Sequence, residues 1–488
     1  MFTDAATDDF FRARLDHMID LRHSLAVLAS RMPWQQIEAS VAHLFSRRAH
    51  TGEAPAPLAR QSNAGRPRVP LRTMIALLYL KHAFNLSDET VVQGWSENPY
   101  WQHFAGMAYF EPRLPCDATT LVKFRRLLGE EGVEELLAQT VNLAVSLKLI
   151  PASALATVVV DSTVQEKAVA HPTDSKLLET ARAKLVDAAQ GAGIELKQTF
   201  AKEGRLLRFK AGRYAHARQF KRMRRVIKRQ STVLGRLARE IERKAGVLST
   251  AVRQALDGVL GKAQRIADQS CSRKNTSGSS KLYAWHAPEV ECIAKGKSRT
   301  PYEFGVKVGI AATLKHNLIV GARAFTGNPY DGHTLSTQLE QAAILMQDTG
   351  CKPATAYVDL GYRGVDADNP GVAIKHRGKF KTLTPQERKL LKRRQAIEPI
   401  IGHLKSDHRM DRCHLKGEQG DRLHAVLCAA GYNLRWLLRM IAKKGVPFLR
   451  RLYLRLCQAA ALSPNWSRML YNLAVNAFTE PVPRLAAH

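Results

Sequence analysis

The stretch ATVVVDSTV, residues 156–164, constrains the fold more than any other in the sequence. A run of branched apolar residues ending in a carboxylate is how a central strand buried on both faces looks, because branched side chains pack well on a pleated surface. Its surroundings are not β-like. Residues 8–46 and 70–149 carry helical periodicity, and the segment from about 170 to 300 is helical again. A single strand in such company needs partners from far along the chain. YEFGVKVGIAA (302–312), LIVGARAFTG (318–327) and ATAYVDLGY (354–362) supply them, with a helix at HTLSTQLEQAAILMQ between the last two. The order strand, strand, strand, helix, strand, helix predicts an α/β unit with a mixed sheet.

Four regions follow from this pattern. Residues 1–69 are N-terminal helices and a linker, the linker being an aperiodic stretch at 47–69 rich in Ala, Pro, Gly and Arg. Residues 70–150 form a helical, DNA-binding-like domain. Its turns at Asn85-Leu86-Ser87 and Ser96-Glu97-Asn98-Pro99 suit either a helix-turn-helix-like reader or an ordinary packing domain. Residues 151–445 carry the α/β unit with its helical insertion, and 446–488 form a basic helical tail.

Charge narrows the class of partner. Lys and Arg number 74 against 43 Asp and Glu, a net +31. Such an excess repels itself unless a polyanion answers it, and nucleic acid does so by giving up condensed counterions. An anionic membrane would need an anchor, and none is expected. The N-terminus is acidic, and the most apolar run, 423–444, is broken by His424, Asn433 and Arg435, as in a buried helix. Seven scattered cysteines without a CxxC pair predict a reducing, cytoplasmic setting and no zinc site. The adjacent Cys413 and His414 are a lesser metal candidate.

The positive charge is densest in the insertion. Phe220, Ile227, Leu234, Ile241 and Leu248 recur every seventh residue, with Met223 and Leu237 between them, which predicts a coiled-coil-like seam interrupted at Gln230 and Lys244. Beside it, Arg218, Lys221, Arg222, Arg224, Arg225, Lys228 and Arg229 form a face of one sign, where a solvated helix would mix signs. These residues are expected to contact DNA phosphates. Lys295, Lys297 and Arg299 are further candidates.

Two carboxylates share a local grammar: Asp161 in VVVD and Asp359 in AYVD. Parallel, adjacent strands would bring both to one sheet edge, where α/β folds place ligands. Two close anions call for a cation, and Mg²⁺ prefers such oxygen ligands. A third acid, Glu398, lies in RRQAIEPIIGHLKSDHRMDR, 393–412. Thr384-Pro385-Gln386-Glu387 is a capping box that starts a helix, and Pro399 is expected to kink it beside Glu398. Two strand acids and a helix acid could hold two Mg²⁺ ions roughly 3.5–4 Å apart, suited to in-line displacement at phosphorus. His333, in YDGHTL, is a candidate for contact with the active site, but Asp331-Gly332 also makes an ordinary turn before a helix, which is the favoured reading. Asp366 and Asp368 read as solvated turn acids.

VVVDSTVQEKAVAHPTDS, GNPYDGHTL, AYVDLGYRG and RRQAIEPIIGHLKSDHRM, in this order, resemble the DDE transposases of bacterial insertion sequences, specifically the IS-four/IS-five group. The resemblance spans about residues 70–445. It implies an RNase H-like mixed-sheet catalytic domain with a large helical insertion, plus an all-α N-terminal domain. It further implies Asp161, Asp359 and Glu398 as catalytic metal ligands for Mg²⁺, with Mn²⁺ able to substitute, and Arg394 and Lys405 near the DNA phosphates. The signature tyrosine falls on Leu391, which puts that residue's DNA contact in doubt. The implied activity is binding of terminal inverted repeats in double-stranded DNA, cleavage at the element ends and strand transfer, by at least a homodimer in the working complex. A metal-dependent nuclease without strand transfer, and a non-catalytic DNA-binding derivative, are the alternatives.

Overall fold

The computed structural model describes residues 13–45, 68–271, 281–294 and 301–461. Among these, six strands form one mixed sheet: β1 (Thr157–Glu166), β2 (Glu291–Ala294), β3 (Tyr302–Thr313), β4 (Ile319–Phe325), β5 (Thr355–Tyr357) and β6 (Ala373–Lys375). β1 is central. It pairs antiparallel with β3 from Val158 opposite Thr313 to Glu166 opposite Gly305, and parallel with β5 on its other side. β6 extends the parallel side, while β2 and β4 both pair with β3. Val158, Val159 and Val160 are no more than 1% exposed, as expected of a strand covered on both faces.

All four expected strands are present, but the last, read over 354–362, is cut to Thr355–Tyr357 because Leu360–Tyr362 forms a short turn. β2 and β6 were not expected, and at four and three residues they are too short to show a period. β1 also outruns its reading: Asp161 lies in mid-strand, because β3 continues the ladder to Glu166 after β5 has ended. That ladder closes tightly. A Cβ on Gly305 would stand 1.9 Å from the Gln165 carbonyl oxygen, so only glycine fits there.

One apolar core runs from Leu25 to Leu437 and takes in both the helices and the sheet, crossing the division expected at residue 150 without interruption. Helix Leu71–Ala83 buries every residue from Thr73 to Ala83, and so is a central core element. The apolar run expected to be a buried helix is the packed part of Gly417–Ala461, which lies against Leu71–Ala83, Ala118–Ser146 and β4. Its polar interruptions have partners. Asn433 accepts from the Ile319 N–H at 3.0 Å and donates to the Ile319 carbonyl at 2.8 Å and to the Thr140 hydroxyl at 2.9 Å. Among the described residues no helix is long and apolar enough to cross a membrane.

The insertion between β1 and β3 has its own core. Four helices, Asp174–Gly191, Ala201–His216, Phe220–Lys244 and Thr250–Cys271, pack together. The heptad reading is corrected here. Phe220 is exposed, and the buried stripe is Val226, Gln230, Val233, Leu234, Leu237 and Ile241. Neighbours on several sides widen the stripe beyond a two-helix seam.

The N-terminal helices are tied by a buried ion network. Asp88 accepts from Lys81 at 2.6 Å and takes two bonds from the Arg125 guanidinium at 3.1 and 2.9 Å. Burial pushes the Asp88 pKa up, but the Arg125 hydrogen bonds and the Lys81 charge outweigh it and hold it at about 2. Removing the carboxylate strands two buried cations, so Asp88→Ala is expected to cost about 3–5 kcal/mol in urea denaturation at pH 7. Because the folded pKa lies below the ordinary value, this contribution is present above about pH 4 and fades as pH falls towards 2. The gap between variant and parent should close over that window.

Candidate active site

The register of β1 on β5 aligns the two aspartates. Val159 lies opposite Tyr357, and each acid stands two residues further on, so Asp161 on β1 is level with Asp359 just past the end of β5. Asp161 is partly buried. Its Oδ1 accepts from the Ser162 N–H at 2.8 Å, and its Oδ2 from Arg394 Nη1 at 3.3 Å. Burial pushes its carboxyl pKa up. The Ser162 N–H and Arg394 oppose this, Asp359 and Asp331 add to it, and the balance is upward. Asp359 is exposed, and its side chain accepts from the Leu360 N–H at the head of a short turn, Leu360–Tyr362.

The capping box at Thr384 and Glu387 forms as expected and starts helix Pro385–Arg393. A 3₁₀ turn, Arg394–Ala396, then leads into helix Ile397–Asp407. The irregularity thus falls ahead of Pro399 rather than beside Glu398. Proline withholds a donor from the carbonyl four residues back, at Gln395, and the tighter turn forms there. Glu398 lies in the first turn of the second helix, exposed and one turn beyond Arg394. That helix packs against β1, and Glu398 follows by one turn the residue that touches Asp161. Asp161, Asp359 and Glu398 are nevertheless not drawn within 4.8 Å of one another. Lys405, further along the helix, pairs with Glu303 of β3 at 3.6 Å. Leu391, at the signature tyrosine position, belongs to the apolar core.

Asp331 was read as a turn residue, yet it stands beside this site. Its Oδ1 accepts from the Ser162 hydroxyl at 2.9 Å and from Lys307 at 3.0 Å. The available signal was its place at a helix start directly after a sheet strand, the position an edge-facing acid takes. His333 is exposed, and Asp366 is an exposed turn acid, as read, paired with Lys379. Asp368 is likewise exposed.

In the insertion, Arg218, Lys221, Arg222, Arg224, Arg225 and Lys228 are exposed around the turn between two helices, near the exposed rings of Phe209 and Phe220. Arg229 differs, being partly buried and bound to Glu203 at 2.6 and 3.1 Å. Lys295, Lys297 and Arg299 lie outside the described residues. Cys413 is buried, and its backbone extends the pairing beyond β1.

Among the described residues, His82, His424 and Cys428 bring three metal-ligating atoms within 4.8 Å of one another. Ordinary contacts account for this group. The Cys428 Sγ is 3.7 Å from His82 Nδ1, and His424 Nε2 donates to the Arg409 carbonyl at 2.9 Å. Burial lowers both imidazole pKa values, and nearby Lys81, Arg125 and Arg409 lower them further, surroundings that oppose a bound cation.

Residues 13–127 match the family Transposase domain (DUF772), and residues 264–434 match the Transposase DDE domain. The chain belongs to the DDE transposases of insertion sequences. The DDE match contains Asp359 and Glu398. Asp161 precedes it, because the helical insertion separates the first strand from the rest. A Rhizobium meliloti protein described as uncharacterized protein ORF8 in the nfe locus is 41% identical over 213 residues, 44% of this chain and 95% of that protein. No solved structure matches the chain.

In this transposase Arg394 is paired with Asp161 Oδ2 at 3.3 Å and would compete with any cation that approached that oxygen. Arg394→Ala is therefore expected to tighten Mn²⁺ binding to the DNA-free protein by about two- to five-fold, corresponding to about 0.5–1 kcal/mol for a partly exposed pair. Isothermal titration calorimetry measures it.

Proposed function

We propose that this protein is a transposase of the IS-four/IS-five group that binds terminal inverted repeats and catalyses divalent-metal-dependent cleavage and strand transfer. Asp161, Asp359 and Glu398 are the proposed ligands and catalytic residues. The observation that carries the reading is the parallel β1–β5 register, which sets Asp161 level with Asp359 while Arg394, in the turn that leads into the Glu398 helix, bonds Asp161. The sheet order β4-β3-β1-β5-β6, with the last two strands parallel to β1, supports an RNase H-like catalytic unit. The helices at 13–45 and 68–146 form the proposed N-terminal all-α part.

The donor set suits Mg²⁺ or Mn²⁺: carboxylate oxygens, one on β1 past the end of β5 and one on the turn that follows β5. Bound there, the metal would supply the polarisation that makes water or a DNA 3′-hydroxyl nucleophilic and eases departure of the leaving oxygen. The protein's own part is to align the acids and seat the DNA. Arg394 and Lys405, paired with Asp161 and Glu303 in the free protein, are the proposed phosphate ligands beside the site. DNA phosphates would draw them off these carboxylates, and Asp161 would then be available as Glu398 closes. The exposed cations between Arg218 and Lys228 give a second surface for the DNA backbone. Cleavage and joining are one displacement with two nucleophiles, and two ends imply at least a homodimer in the working complex. The cytoplasm is the proposed location, as for any enzyme that acts on bacterial DNA.

A supercoiled plasmid carrying the element ends, scored separately for nicks and joined products, tests the reading. The wild-type protein should give both with Mg²⁺, and Asp161→Asn and Glu398→Gln should give neither while still binding DNA. Nicks without joined products would favour a nuclease, and neither product from the wild type would favour a binding protein. Arg224→Ala with Arg225→Ala should weaken DNA binding at all sequences and lower the slope of log Kd against log salt by roughly two, one unit for each lost phosphate contact, as read by fluorescence anisotropy.

A further inference from the structure

We propose that Asp331 is a positioning residue of this site, a carboxylate bonded to β1 and β3 and packed against the turn after Asp359. The inference rests on the reading of Asp161 and Asp359 as cation ligands. Three contacts carry it. The Ser162 hydroxyl donates to Asp331 Oδ1 at 2.9 Å, and Ser162 is the residue whose N–H holds Asp161. Lys307 of β3 donates to the same oxygen at 3.0 Å and to the Pro329 carbonyl at 2.6 Å, so the start of helix Asp331–Leu345 is fixed to the sheet. The other oxygen, Oδ2, lies 3.1 Å from where a Cβ on Gly361 would stand, which brings Asp331 directly against the Leu360–Tyr362 turn.

The side of the sheet decides the role. Ser162 and Lys307 lie on one face, since Val164 is opposite Lys307 and Ser162 is two residues from Val164. Asp161, one residue away, faces the opposite side. Asp331 therefore acts across the strand through Ser162, and its Oδ1 is already taken by two donors, one of them a cation. Its place on the other face of β1 from Asp161 makes it a scaffold rather than a ligand.

The need for it follows from the size of β5. Three residues of parallel pairing leave Asp359 beyond the ladder on an exposed turn, with little to fix its separation from Asp161. Asp331, in close approach to Gly361 and bonded to Ser162, packs that turn against the residue next to Asp161. The last residue of the turn, Tyr362, is buried, its hydroxyl pKa pushed up by burial and by the Asp331 and Asp161 charges.

The test compares Asp331→Ala, Asp331→Asn and Ser162→Ala in the full-length protein, reading Mn²⁺ affinity by calorimetry without DNA, and kcat and KM for an end oligonucleotide. Asp331→Ala should weaken Mn²⁺ binding about tenfold, the lower end of what partners of metal ligands usually contribute, and lower kcat with KM for DNA unchanged. Asp331→Asn, which still accepts from Ser162, should restore most of both. Ser162→Ala breaks the link from its other end and should reproduce the alanine defect, which keeps the test open if Asp331→Ala does not fold. Parental Mn²⁺ affinity in Asp331→Ala or Ser162→Ala overturns the proposal. A defect in Asp331→Asn equal to that in Asp331→Ala also overturns it, by making Asp331 a direct ligand. Asp161→Asn is the separate arm: Mn²⁺ bound there with parental affinity would overturn the reading of the site itself.

Discussion

Parallel pairing between β1 and β5 is the constraint on which the rest of the site depends. It is only three residue pairs long, yet it joins residues nearly 200 positions apart and fixes which side chains share a face. Pleating alternates side chains, so a slip of one residue would turn one aspartate to the other side of the sheet. The register is protected by burial on both faces, where Val158 to Val160 and Ala356 to Val358 belong to the common core. The antiparallel ladder with β3 then holds β1 rigid past the end of β5, which leaves Asp161 on firm backbone and Asp359 on a turn.

Charge is arranged in two ways around this frame. Near the sheet edge the cations are paired: Arg394 with Asp161, Lys405 with Glu303, Lys307 with Asp331. Such pairs compensate carboxylates that the fold has brought out of water, at a site where Asp161 gains protons more readily than an ordinary carboxyl. On the insertion, the cations from Arg218 to Lys228 are exposed, and like charges there repel one another until a polyanion arrives. The first group can answer DNA by exchanging partners, and the second by direct capture. This division follows from burial, since only a half-buried cation needs a fixed counter-charge.

The sequence made the aspartates legible because each sits at a strand with a strong apolar signal, and the pattern VVVD or AYVD survives without knowledge of partners. Glu398 was legible through its helix, whose capping box is local chemistry. The position of the break was not, because the effect of Pro399 lands on the carbonyl of Gln395 and not on the residue beside it. Phe220 was misjudged for a different reason. A seventh-residue repeat says which residues are apolar, but packing by more than one neighbour decides which of them are covered. Asp331 escaped because an Asp-Gly pair before a helix satisfies local turn rules completely, and its importance comes from Ser162 and Lys307, which are distant in the chain.

The central claim is that three acids, from two strands and a helix, serve one divalent cation site once DNA is in place. Anomalous scattering from Mn²⁺ in crystals of the protein with element-end DNA measures this most directly. The account predicts density against Asp161 and Asp359 carboxylate oxygens, with Glu398 moved inward to join them and Arg394 turned from Asp161 to a phosphate. Manganese bound elsewhere, or Glu398 still apart from an occupied aspartate pair with DNA seated, would contradict it.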